Sequence, residues 1–274
     1  MLIVNLTPEL AILEVSGIDS VTYLQGQLTN DIKLLDKQNF QYSAHLNNKG
    51  RLLASFIITK VGENFYHLIT HKHIIDKIMP RLKIYVLRSK VTLNKLEQTS
   101  ILFSDHALSN SIYSIELAPG NFISLVEDIP NTTAKDIKHW HRFLIKHGIC
   151  MIYPDTHERL IPQQVNYDKI GGVNFNKGCY TGQEIVARMH YLGKAKHLMY
   201  KFICDTPVQI GQSVTSPNAD NQEVGVIVDV VNRDYDCLGL VSIKNDYIEN
   251  AFINDGGTSH QLLIQELIYQ DNNG

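Results

Sequence analysis

The sequence predicts an α+β protein with an all-β tail, and three observations carry that prediction. Helix-like and strand-like hydrophobic periods mix through the first two-thirds of the chain without regular strand–helix–strand alternation, which argues against a parallel doubly wound sheet. After about residue 195 no long helical period remains. Short β-rich runs there are broken by Pro, Gly, Asn and Asp, the texture of a small barrel or sandwich. Finally, 274 residues, 44% of them hydrophobic, can bury a sizeable core and correspond to about two domains. The change of texture puts a boundary near 193–197, dividing the chain into 1–194 and 195–274.

Taken in order, residues 10–16 (LAILEVS) alternate as a strand. Gly17-Ile18-Asp19-Ser20 then offers a turn and an N-cap for a short helix, with Val21, Leu24 and Leu28 on one face. Residues 40–46 and 51–60 read as strands joined by the hairpin Asn47-Asn48-Lys49-Gly50, and 65–70 as a third. From 71 the period becomes helical, with Ile74, Ile75, Ile78, Met79 and Leu82 in a stripe that Pro80 should kink or break. Residues 84–93 and 111–126 look strand-like again. Residues 134–147 form an amphipathic helix carrying Ile137, Trp140, Leu144 and His147 on one face. The tail offers short β runs at 198–203, 207–214, 223–231, 237–244 and 261–269.

A net charge of −3 argues against a general polyanion binder, but the charges are segregated. Residues 69–95 carry seven Lys/Arg and one acid, and 177–201 carry five and one. Residues 205–274 carry two Lys/Arg and eleven acids. Such polarity can attract an anion locally, although charge alone reads as solvated surface. No apolar run approaches the ~20 residues of a membrane span, and the start lacks a signal-peptide pattern. A cytoplasmic, monomeric protein is the expectation. Cys150, Cys179, Cys204 and Cys237 show no CxxC pair or zinc-ligand spacing, so no metal site is expected.

Residues 162–182, PQQVNYDKIGGVNFNKGCYTG, hold four of the chain's 17 glycines and read as a tightly turning segment. Thr181-Gly182-Gln183-Glu184 fits a capping box opening a helix, with Glu184 and Arg188 at a favourable i, i+4 spacing. Cys179 then lies just before a positive helix end. Lys177, two residues earlier in an extended stretch, would point to the same side. Both favour thiolate, which makes Cys179 the one cysteine with a reason to be reactive.

Lys177-Gly178-Cys179-Tyr180-Thr181-Gly182-Gln183-Glu184 resembles the KGCYxGQE signature of the YgfZ family of folate-binding proteins, which are similar to the aminomethyltransferase of the glycine cleavage system. Tyr23-Leu24-Gln25-Gly26-Gln27-Leu28-Thr29 resembles that family's YxQGQxT element. Lys49-Gly50-Arg51 resembles its KG-basic hairpin, and Ile161-Pro162-Gln163 with Gly171-Gly172 its approach to the signature. Val186-Ala187-Arg188 and Gly193 extend the likeness, which covers most of the first 200 residues.

The resemblance implies two interleaved α/β lobes of aminomethyltransferase-like fold, a C-terminal β-barrel, and tetrahydrofolate or another folate as ligand. It also implies support of iron–sulfur enzymes, tRNA methylthiotransferases among them, and through them an effect on tRNA modification. Such a ligand needs a cation for its glutamate tail, an aromatic wall, and amides or carboxylates for the pterin edge. Lys177, Arg188 and Lys194 are the cation candidates. Gln25, Gln27 and Gln163 suit the pterin edge but equally suit loop backbone groups. Tyr180, Gln183 and Glu184 come with the signature. Trp140 is either a folate contact, as its family counterpart is, or a core anchor. Leu10 stands where some members carry a second Trp. A folate-dependent one-carbon transferase is the alternative function, although Cys179-Tyr180 replaces the Asp-Phe of the aminomethyltransferases. Direct tRNA binding through 69–95 and 177–201 is a third reading, weakened by the absence of an aromatic-basic RNA motif.

Overall fold

The structure is a computed structural model that describes residues 2–129, 135–193 and 196–269. The chain begins with β1 (Ile3–Asn5), β2 (Leu10–Ser16), α1 (Ser20–Gln27), β3 (Gln41–Leu46), β4 (Leu52–Gly62) and β5 (Phe65–His71). There follow α2 (Lys72–Val86), β6 (Thr92–Lys95), β7 (Ser100–Ser104), β8 (Tyr113–Ala118), β9 (Asn121–Val126), α3 (Lys138–His147) and α4 (Gln183–Leu192). The tail supplies β10 (His197–Cys204), β11 (Ser213–Thr215), β12 (Glu223–Asn232) and β13 (Cys237–Lys244). It ends with β14 (Phe252–Asp255), β15 (Thr258–Gln261) and β16 (Leu263–Gln265).

These strands build three antiparallel sheets, ordered β3-β4-β5-β2-β6, β1-β7-β9-β8 and β15-β14-β11-β12-β13-β10-β16. The five-stranded sheet separates two cores. Leu13 and Val15 of β2 face the core filled by α1 and α2, whereas Leu10 and Ile12 face the core of α3 and the four-stranded sheet. This is the side alternation a strand imposes. β4 is buried along its first eight residues, which explains its unbroken apolar reading. The seven-stranded sheet curls into a half-barrel around a third core.

Several expectations need correction. Of the kink or break expected at Pro80, the break does not occur, since α2 runs through it without ending. Its buried Ile74, Ile75, Ile78 and Leu82 are worth about 1.5–3 kcal/mol each, which outweighs the roughly 3 kcal/mol cost of an interior proline. The helix therefore takes residues 84–86 from the strand expected at 84–93, leaving only β6. The run 207–214 contributes just the start of β11, and 261–269 divides between two short strands. Lys138 opens the helix expected over 134–147, and residue 134 lies outside the described residues. The short strands β1, β7 and β14 carried too few residues to show a period.

A buried polar cluster ties the tail to the rest. A register shift between Ile227 and Asp229 interrupts the β12–β13 ladder, and such a bulge can re-aim a side chain. Asp229 is fully buried and accepts from His141 Nδ1 on α3 at 2.7 Å and from the Tyr153 hydroxyl at 3.1 Å. His141 Nε2 donates to Glu9 at 3.2 Å. Three distant stretches of sequence thus meet at one imidazolium.

Candidate functional site

The glycine-rich segment is stitched to the turn after α1. Thr29 Oγ1 donates to the Gly172 carbonyl at 2.6 Å, and Asn30 Nδ2 donates to the Gly171 carbonyl at 2.7 Å. Asn174 N–H returns a bond to Thr29 O. Gly172 has no substitute, because a Cβ there would come within 2.4 Å of the Tyr167 ring.

Lys177 secures the next stretch. Its Nζ donates to the carbonyls of Gln25 (2.8 Å), Leu28 (2.6 Å) and Asn30 (3.0 Å), at and just beyond the C-terminus of α1. Three donors meet three acceptors at the negative end of a helix, and the Tyr180 ring lies 5.1 Å from the ammonium. Burial still lowers the Lys177 pKa to about 8. The expectation that Lys177 faces Cys179 is therefore corrected: Lys177 turns inward to unsatisfied carbonyls, while Cys179 is exposed.

The helix cap also differs from the expected one. Gly182, not Thr181, is the N-cap of α4, in the left-handed region at φ +82°, and no side chain caps it. A Cβ on Gly182 would sit 2.5 Å from the Asn47 carbonyl oxygen, and one on Gly50 would sit 2.8 Å from Ile185. The hairpin 47–50 and the start of α4 therefore interlock through two glycines, bringing together motifs more than 120 residues apart. Glu184 and Arg188 are both exposed, and no ion pair joins them among the described residues.

The glutamines and aromatics separate by role. Gln25 is spent on its own loop, donating to Asp31 and accepting from Ile32 N–H. Gln163 donates to Val186 O at 2.7 Å, and its Oε1 has no partner; Gln27 Oε1 is likewise buried without one. Gln183 is half-buried. Tyr180 is buried, which pushes its hydroxyl up to about 12. Trp140 is fully buried against Phe103 and Phe143, and its Nε1 lacks a partner. It serves as a core anchor here and lines none of the clefts described below; Leu10 packs in the same core. Lys194 lies outside the described residues.

A cleft of about 890 Å³ opens beside the glycine segment. Its walls include Asn30, Gln41, Tyr42, Glu116, Asn174 and Phe175, and Phe175 stacks on His190 of α4 at 3.7 Å. Gln41 is 4% exposed with an unpartnered Nε2, and the buried Tyr42 hydroxyl also lacks a partner. A second cleft of about 360 Å³ shares Tyr42, Leu117 and Ile170 and adds Lys146 and Lys169. Sequence reasoning missed Gln41, Tyr42 and Glu116. The only signal available was a polar-aromatic pair opening an edge strand, which alternation alone explains. Among the described residues, no three His, Cys, Asp or Glu side chains are placed to hold a metal ion and no helix is long and apolar enough to cross a membrane.

No family model matches the chain. An uncharacterized protein of Haemophilus influenzae is 31% identical over 246 residues, covering 87% of this chain and 88% of that protein. The tRNA-modifying protein YgfZ of Vibrio vulnificus is 27% identical, covering 97% of this chain and 91% of its own. Its namesake in Aliivibrio fischeri is also 27% identical, with 95% and 88% covered. Among solved structures, the glycine cleavage system aminomethyltransferase T of Bartonella henselae superposes with a TM-score of 0.72 at 13% identity. That match covers 97% of this chain and 85% of the aminomethyltransferase, and it shows the fold. Near full-length relatives, the aminomethyltransferase-like architecture and the intact Lys177–Glu184 signature agree: the chain belongs to the YgfZ family.

Proposed function

We propose that this chain binds a folate, tetrahydrofolate in the first instance, and acts as an accessory protein for iron–sulfur enzymes. Its clients would include tRNA methylthiotransferases, so that its loss affects tRNA modification. The observation that carries the reading is one continuous segment with two faces. Residues 170, 171 and 173–176 wall the 890 Å³ cleft, and three residues later the same backbone, pinned by Lys177, presents the exposed Cys179. The relatives named tRNA-modifying proteins support the tRNA side of the reading.

The cleft chemistry fits a folate. Gln41 Nε2 and the Tyr42 hydroxyl are buried polar groups lacking partners, which a pterin edge rich in donors and acceptors would satisfy. Phe175 and Tyr42 supply aromatic wall, and Lys146 and Lys169 of the adjoining cleft would hold an anionic glutamate tail. Bound folate would supply a one-carbon carrier and a reductant; the chain's part is to hold and orient it beside Cys179.

Anaerobic titration with tetrahydrofolate, read by calorimetry and Trp140 fluorescence, tests the reading. Saturable binding should survive Cys179→Ala and weaken at least tenfold in Gln41→Leu, a loss of about 1.4 kcal/mol. Absence of binding to either wild type or Cys179→Ala removes the folate assignment. Cys179→Ala that fully restores iron–sulfur enzyme activity in a deletion strain removes the thiol. The transferase alternative draws on Glu116, a carboxylate in the cleft wall. Release of a one-carbon unit from a supplied donor, lost in Glu116→Gln, would favour it.

A further inference from the structure

Two thiols that the proposed site does not use lie side by side on neighbouring strands of the half-barrel. Cys204 is the last residue of β10 and Cys237 the first of β13, and the two are direct partners in the antiparallel register. They are 2% and 0% exposed and share the third core, and because directly opposed residues of a ladder project to the same face, their side chains lie on one side of the sheet. The third buried thiol, Cys150, packs in a different core. Directly opposed residues hold their Cβ atoms about 4.5–5.5 Å apart, whereas a disulfide needs roughly 3.5–4.5 Å, so closure asks for a small approach of two strand ends. The pair sits at the ends of its two strands, although Cys237 is also paired with Asn232 of β12. The turn 233–236 leads straight into Cys237, and its Tyr235 is almost fully exposed.

We propose that Cys204 and Cys237 are a dithiol that closes to an intrachain disulfide on meeting a small-molecule disulfide, a modification site separate from Cys179. The exchange runs in two steps. One protein thiol loses its proton and attacks the small disulfide, forming a mixed disulfide and expelling one small thiolate. The second protein thiol then displaces the other small thiolate. Two protein thiols are oxidised, one small disulfide is reduced to two thiols, and both protons pass to those products. Burial pushes the Cys237 thiol up to about 12, so attack follows fraying of the strand end and is slow. Cys179, exposed and with no thiol bonded to it among the described residues, stops at the mixed disulfide. The cross-link would fasten β10 to β13, the strands that carry the contacts of Met199 with Asn166 and of Ser242 with Gln164.

The test incubates the Cys179→Ala protein with oxidised glutathione, alkylates it under denaturing conditions and maps peptides without reduction. A loss of two hydrogen masses and a peptide joining Cys204 to Cys237 are expected. Cys237→Ser should replace the cross-link with a glutathione adduct on Cys204. Oxidised wild type should melt roughly 5–10 °C above its reduced form. Full alkylation of both cysteines after prolonged incubation, or a cross-link through Cys150, overturns the proposal. Either result leaves folate binding and the Cys179 assignment untouched, since neither measurement reads them.

Discussion

Lys177 and His141 are both 8% exposed, both cationic, and both tie distant parts of the chain together, yet burial has opposite consequences for them. Lys177 is bonded to three neutral carbonyls, and although the Asp31 carboxylate pulls the other way without bonding it, burial takes its pKa down to about 8. Burial works equally against the charge on His141, but the carboxylates of Asp229 and Glu9 overcome it, and its pKa rises to about 10. Dipoles can satisfy every donor of a buried cation without restoring the solvation it has lost; formal countercharges can. The barrel is fastened by charge, and the signature loop by geometry.

Breaking the charged fastening should give the largest effect. Asp229→Ala leaves the buried His141 with Glu9 as its one carboxylate partner and strips the Tyr153 hydroxyl of its acceptor, and should destabilise the protein by about 3–5 kcal/mol in urea unfolding. The pH dependence sharpens the contrast. Free histidine titrates near 6.5 and folded His141 near 10, so the folded state keeps a proton that the unfolded state releases between those values. Its contribution is complete below pH 6.5 and is lost as pH rises toward 10, by up to about 1.4 kcal/mol per pH unit. Lys177 has the opposite sign: folded at about 8 against 10.5 free, it binds fewer protons when folded, so its share of stability rises with pH between 8 and 10.5. Between pH 6.5 and 8 only the His141 slope operates, and His141→Gln should flatten it. An unchanged slope in that variant would show the cluster carries no charge linkage.

The legibility of the sequence follows the same division between local and distant causes. β2 was readable to the residue and β5 to within one, because alternation over seven residues is a local property. The α4 cap was misread because the choice between Thr181 and Gly182 rests on the hairpin 47–50, whose Asn47 carbonyl excludes any Cβ at Gly182. The inward turn of Lys177 rests likewise on carbonyls near α1, about 150 residues away in sequence, which no local pattern records. Family likeness located the segment; the cleft beside it, with Gln41 and Tyr42, is assembled only in three dimensions.

Lys177→Met gives the intermediate effect. It preserves the stem and removes the donors, leaving the Gln25, Leu28 and Asn30 carbonyls without their shared partner. A cost of about 1–3 kcal/mol is expected, smaller than for Asp229→Ala because neutral acceptors left behind are cheaper than a buried charge that has lost one of its two carboxylates. The local signature should exceed the global one. Hydrogen exchange in residues 172–182 should rise more than in β12 and β13. Uniform acceleration over all three segments would mean Lys177 supports the whole fold and not this loop.

Cys179→Ala should have the smallest effect on stability and is the most informative of the series. The thiol is exposed and belongs to none of the three cores, so unfolding free energy should move by no more than about 0.5 kcal/mol. A loop that is glycine-rich, anchored by a buried cation and interlocked with a hairpin is a costly way to hold a residue on which the fold does not depend. That cost is understandable if the thiol's position is what matters. The variant should therefore keep its melting temperature and its folate affinity while failing to restore iron–sulfur enzyme activity in a deletion strain. A large drop in stability instead would make Cys179 a structural residue, and the anchoring of the loop by Lys177 would then need no functional reason.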